Sequence, residues 1–157
     1  MEFDKDKLLN SKTFCMYPWL HLNVTPKGDV YPCCSSDYTD PFDNVKNKPL
    51  KEIFNDDLMR ELRLRMLNGE KSSICDYCYK HETSSPFSFR TYSIENFGKY
   101  FDEIVTTTLE DGTVPEFKMR YFDVRFSNIC NFKCRTCGSE FSSQWAQEMK
   151  QHDHVPK

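Results

Sequence analysis

The sequence lacks any apolar run of about 18 residues, so no segment reads as a membrane-crossing helix. Its opening, Met1-Glu2-Phe3-Asp4-Lys5-Asp6-Lys7, has none of the apolar stretch of an export signal. No charge of one sign dominates. The 21 Lys and Arg stand against 24 Asp and Glu, a formal net charge of −3, which gives no reason to expect nucleic acid or an anionic membrane as partner. No internal repeat and no low-complexity tract is present, which excludes an array architecture. With 38% hydrophobic, 15% aromatic and 29% charged residues, the chain reads as globular rather than disordered. Its 157 residues suffice for one domain and a fragment of another.

What the chain has is cysteine. Eight cysteines without an export signal point to metal ligation in a reducing cytoplasm rather than to disulfides. One group lies in Ser127-Asn128-Ile129-Cys130-Asn131-Phe132-Lys133-Cys134-Arg135-Thr136-Cys137-Gly138, where Cys130, Cys134 and Cys137 are spaced C-x3-C-x2-C. A cubane iron–sulfur cluster normally takes four cysteine ligands. Three thiolates leave one iron open, and a small molecule can coordinate there. The plainer alternatives are a structural zinc site or buried free thiols.

With Asn131 after the first cysteine and the strand-like run Phe117–Phe126 before it, this segment resembles the radical S-adenosylmethionine (radical SAM) superfamily. The resemblance implies that Cys130, Cys134 and Cys137 hold a [4Fe–4S] cluster whose fourth iron binds S-adenosylmethionine (SAM). One electron then cleaves the sulfonium to a 5′-deoxyadenosyl radical. Thr136 stands where that family usually has an aromatic residue close to the adenine.

The second group is Cys15, Cys33, Cys75 and Cys78, with Cys34 left over. Trp19 to Thr25 alternates apolar and polar residues, the period of a half-buried strand, which places His21 on its polar, solvent or cleft side. Pro26-Lys27-Gly28-Asp29 is turn chemistry, and Val30-Tyr31-Pro32 returns toward Cys33, so a hairpin brings Cys15 and Cys33 to one end. A helical stretch begins at Pro49-Leu50, with Asp56 able to cap its continuation to Leu67 and Asn68-Gly69 closing it. Leu50, Ile53, Phe54, Leu58 and Leu62 are spaced to face the core, and Arg60, Arg63 and Arg65 to form a solvated basic face. Cys75 and Cys78 open the next helical segment, whose N-terminus would favour thiolates. Four sulfur ligands suit zinc as well as a cluster.

The order C-x12-G-x4-C from Cys15 through Gly28 to Cys33, followed by the C-x2-C of Cys75 and Cys78, resembles the twitch domain, the half-sized relative of the SPASM domain. That resemblance implies an auxiliary [4Fe–4S] cluster on Cys15, Cys33, Cys75 and Cys78.

Thr83 to Pro86 reads as a loop and Asp111 to Pro115 as a turn. Ile94, Phe97, Phe101, Ile104 and Val105 share one side of a helical stretch, and Ser142 to Lys150 is helical. Phe87, Phe89, Tyr92 and Phe97 are expected to fill a core between modules, and His152-Asp153-His154 is a weak candidate for a divalent ion. The expected fold class is α+β. A small hairpin-plus-helices twitch-like module (1–85) and a helical linker (86–116) lead into the first β/α unit of a partial (β/α) TIM-like barrel (117–157), here the opening portion of a longer enzyme. The implied partners are SAM, a peptide, protein or small-molecule substrate, and an electron donor such as flavodoxin or ferredoxin. The alternative is a zinc- or cluster-stabilised module without catalysis.

Overall fold

Pro26-Lys27-Gly28-Asp29 reverses the chain, and the two arms of that turn form the centre of the sheet. In the computed structural model, which describes residues 3–152, β1 (His21–Val24) and β2 (Asp29–Tyr31) pair antiparallel, with Asn23 opposite Tyr31 and Val24 opposite Val30. Gly28 turns at φ +92°, which L side chains rarely adopt. A Cβ there would meet the Asn44 side chain at 2.8 Å, so glycine also lets β3 (Asp43–Asn44) lie close. The sheet order is β3-β2-β1-β4. In it β4 (Tyr121–Val124) runs parallel to β1, from His21 opposite Tyr121 to Val24 opposite Val124.

Helices wrap this sheet: α1 (Lys5–Leu9), α2 (Tyr17–Leu20), α3 (Leu50–Ile53), α4 (Asp57–Leu67), α5 (Asp76–His81), α6 (Phe89–Phe97), α7 (Phe101–Ile104) and α8 (Ser143–Gln151). None is long and apolar enough to cross a membrane. Asp56 caps α4 by accepting from the Asp57 amide, and its extended backbone splits α3 from α4. The helical phase therefore restarts at Asp57. Met59 is buried, whereas Leu58, expected in the core, is exposed. Phe14, Trp19 and Phe101 pack at the centre, and the Trp19 indole donates to Thr108 Oγ1 at 2.8 Å.

Several other expectations are corrected. β1 is not half-buried: every residue in it is buried, because both neighbouring strands are occupied and both faces are covered. His21 is thus an interior residue, its ring packed against Tyr17 and Tyr121 at 4.8 and 4.6 Å. Arg63 does not join a solvated face, because α4 turns it inward. There it donates to the carbonyls of Pro18 (2.9 Å), Phe54 (2.6 Å) and Gly112 (3.1 Å) and to Asn55 Oδ1 (2.8 Å). Its guanidinium lies 4.3 Å from the Phe54 ring, and burial without a carboxylate partner lowers its pKa to about 9. Phe87 and Tyr92 are exposed, while Phe89 and Phe97 pack against the core.

The expected strand–loop–helix unit at 117–157 is present as β4, the cysteine loop and α8. The strand, however, joins the same sheet as the hairpin, and no barrel forms among the described residues. The fold is mixed α+β with a four-stranded sheet. Asp153 and His154 of the candidate ion triplet lie outside the described residues.

Candidate metal centre

The hairpin determines where the first cysteines meet. Cys15 immediately precedes α2, which leads into the start of β1, and Cys33 follows the end of β2. Because β2 is antiparallel, extending its register past Tyr31 sets Cys33 beside His21, at the end where Cys15 enters. A short 3-10 turn ending at Cys75 and the helix α5 bring Cys75 and Cys78 to the same place. Cys15, Cys33 and Cys78 each lie close enough to oppose ionisation of Cys75, and Cys15 that of Cys33. Cys15, Cys33, Cys75 and Cys78 thus lie in one neighbourhood of the fold. Cys34 lies among Tyr17, Asp123 and Arg125 and also bears on Cys33.

All four thiols are held in their neutral form, against the expectation that the α5 N-terminus would favour thiolates. Burial pushes Cys15 up to about 11 and Cys33 up to about 12, and it raises Cys75 and Cys78 as well. A six-residue helix carries too little dipole to overcome that desolvation. The mutual repulsion of the sulfurs adds to the effect, and a bound cation would reverse it by drawing off the protons.

Donors surround the sulfurs. Ser93 Oγ lies 3.1 Å from Cys15 Sγ and Ser36 Oγ 3.4 Å from Cys33 Sγ, while backbone amides of Arg90 and Phe89 face Cys78. The chemistry of this set fits an iron–sulfur cluster, whose thiolates are commonly steadied by such hydrogen bonds. Four sulfur donors suit zinc as well. Among the described residues no group of three or more Cys, His, Asp or Glu is placed to hold a metal ion.

A buried ion pair fastens the two chain segments of the quartet. Glu82, just past α5, receives Arg90 Nε at 2.8 Å and Arg90 Nη2 at 2.5 Å. Arg90 Nη1 donates to the carbonyls of Ser11 and Phe14, the latter adjacent to Cys15. Burial opposes ionisation of Glu82, but Arg90 and the Ser88 hydroxyl outweigh it and hold the carboxyl below its usual range. Nothing in the sequence marks this pair, since the residues sit on different elements. Only the capping box of α6, in which Ser88 and Thr91 exchange bonds, was open to reading there.

The C-terminal trio lies elsewhere. β4 is parallel to β1, so the loop after it leaves from the hairpin-turn end, opposite the quartet, across about 13 Å of strand at about 3.3 Å per residue. Cys130 and Cys137 are half-buried and Cys134 is exposed. The start of α8 organises the loop: Ser142 Oγ donates to Phe132 O at 2.7 Å, Ser143 Oγ to Cys130 O at 3.1 Å, and Trp145 Nε1 to Cys134 O at 3.0 Å. The Cys137 amide donates to Cys134 O at 3.0 Å, closing a turn between the two sulfurs. Phe126, Ile129 and Phe132 stand exposed along this loop. A cavity of about 560 Å³ separates the hairpin turn at Pro26 and Lys27 from α8 at Ala146, Met149 and Lys150.

Residues 15–79 match the family model of SPASM, an iron–sulfur cluster-binding domain. The match spans the quartet and supports a twitch/SPASM-type cluster-binding module over these residues. No curated protein and no solved structure matches the chain.

Proposed function

We propose that the chain is part of a radical SAM enzyme, with an auxiliary [4Fe–4S] cluster on Cys15, Cys33, Cys75 and Cys78 and a SAM-binding [4Fe–4S] cluster on Cys130, Cys134 and Cys137. The observation that carries the reading is the convergence of four interacting, donor-flanked thiols within the stretch that matches a cluster-binding domain. When bound, the two groups supply one-electron transfer and, with SAM at the open iron, its reductive cleavage.

The residues of this chain position and shield. Arg90 and Glu82 lock the Cys15 segment to the α5 segment. Ser142, Ser143 and Trp145 shape the C-terminal loop by holding its carbonyls, which leaves the sulfurs free to ligate. On this reading Phe126, Ile129 and Phe132 pack against further barrel strands, and an external donor such as flavodoxin or ferredoxin delivers the electron.

The test is electron paramagnetic resonance on anaerobically reconstituted, reduced full-length protein, with and without SAM. The reading expects one cluster signal that changes on adding SAM and a second that does not. Replacing Cys134 by alanine removes the responsive signal alone. Reduced protein with no SAM-responsive signal refutes the proposed activity.

A further inference from the structure

Two buried hydroxyls beside the quartet have no hydrogen-bond partner: Tyr17 Oη and Tyr79 Oη. A buried hydroxyl without a partner loses its bonds to water and gains none in return, so folded proteins rarely leave one idle. Tyr79 stands one helical turn after Cys75 on α5 and next to Cys78, and Tyr17 stands two residues past Cys15 with its ring packed on His21, the residue beside Cys33. The Ser72 amide approaches the Tyr79 oxygen without completing a bond, and an amide can only use the oxygen as acceptor, so the phenol proton stays free.

The serines differ in their protons. Ser93 Oγ already donates to Arg90 O at 2.7 Å and accepts from the Met16 amide at 3.1 Å. Its 3.1 Å contact with Cys15 can run in either direction, and Ser93 turns its one proton to a deprotonated Cys15 only by giving up the Arg90 carbonyl. Ser36 Oγ accepts from the Cys33 amide at 3.2 Å and keeps its proton for Cys33 Sγ. Once the thiols lose their protons, the free donors among these four hydroxyls are Tyr17, Tyr79 and Ser36.

We infer that Tyr17 and Tyr79 are positioning residues whose hydroxyls donate hydrogen bonds to the thiolates or sulfides of the cluster held by the quartet, and so set its reduction potential. The inference rests on the proposal that the quartet holds a cluster. Donors to the sulfurs stabilise the more negative, reduced state, and cluster potentials follow such hydrogen bonds. No proton or ligand changes hands: one electron enters from an external reductant, and the phenols remain protonated.

The experiment is a potentiometric titration, followed by paramagnetic resonance, of the full chain in a Cys134→Ala background, where the quartet's signal is read alone. Tyr79→Phe keeps the ring and removes the donor. It is expected to disfavour reduction about tenfold, a downward shift of about 59 mV for a one-electron couple. Tyr17→Phe gives a second, independent reading if Tyr79→Phe loads poorly. Tyr77→Phe, at an exposed position on the same helix, leaves the potential unchanged. Loaded Tyr17→Phe and Tyr79→Phe clusters with the parent potential overturn the hydroxyl inference and leave the cluster reading standing. A parent protein that loads zinc or no iron at the quartet overturns both.

Discussion

Replacing Arg90 by methionine removes the guanidinium but keeps an apolar stem of similar length. The side chain is 7% exposed and its partner Glu82 16%, so solvent screens the pair only slightly. The change deletes two charged bonds to Glu82 and the bonds to the Ser11 and Phe14 carbonyls. It also strands a carboxylate. Removing one partner of a buried pair costs about 3–5 kcal/mol, and the residual exposure of Glu82 places the expectation near about 3 kcal/mol. That is a large share of a total stability of about 5–15 kcal/mol. The assay is urea unfolding of the metal-free protein, followed by fluorescence of the buried Trp19. The midpoint falls while the slope holds. The pair also has a pH signature. Glu82 is depressed in the folded state, so its contribution is present above the ordinary carboxylate pKa and is lost as pH falls through the folded value. The Arg90→Met variant lacks that acid-side loss. A destabilisation below about 1 kcal/mol, the size of an exposed pair, would show that Arg90 does not fasten the two segments.

His21 is neutral in the folded protein, its pKa lowered to about 4 by burial, against about 6.5 when unfolded. Between those values the unfolded chain binds the proton that the folded chain refuses. Stability therefore falls as pH drops through that window, by about 3 kcal/mol, and a His21→Phe variant flattens the slope in pH-dependent unfolding. Arg63→Met takes the donor from the Pro18, Phe54 and Gly112 carbonyls, while Asn55 Oδ1 keeps the Val114 amide, and is expected to cost more than about 3 kcal/mol in the same urea assay; Arg63→Lys, lacking the planar fork, does not restore it. Gly112→Ala puts a Cβ 2.5 Å from the Arg60 carbonyl oxygen at φ +84° and is expected to cost about 2 kcal/mol, while Gly138→Ala, which meets open space, is neutral. Equal midpoints for the two glycine variants would contradict the close approach of the 112 turn to α4.

The hairpin, the capped helix α4 and the α8 start at Ser142 were legible because each rests on local chemistry: a turn glycine, a cap and a period. The meeting of Cys15 and Cys33 at one end of the hairpin was legible for the same reason, since their places along the chain imply it. Burial was not legible. The alternation of Trp19 to Thr25 gave β1 a wet face, but a parallel strand 100 residues further on pairs with it, Tyr121 stacking on His21 and Asp123 accepting from Asn23, and that pairing leaves no local mark. Arg63 misled for a related reason: charge suggests solvent, but an arginine with four carbonyl and amide acceptors can be interior without a counter-ion. The hydroxyls of Tyr17 and Tyr79 were invisible because aromatic residues carry no periodic signal for what their polar tips face.

The most direct test of the quartet is the iron and labile sulfide content of protein reconstituted without oxygen, with Cys130, Cys134 and Cys137 all replaced by serine. The account predicts about four irons and four sulfides per chain, lost when Cys75 is also replaced. Full retention of iron without Cys75, or a single zinc in place of iron, would contradict it.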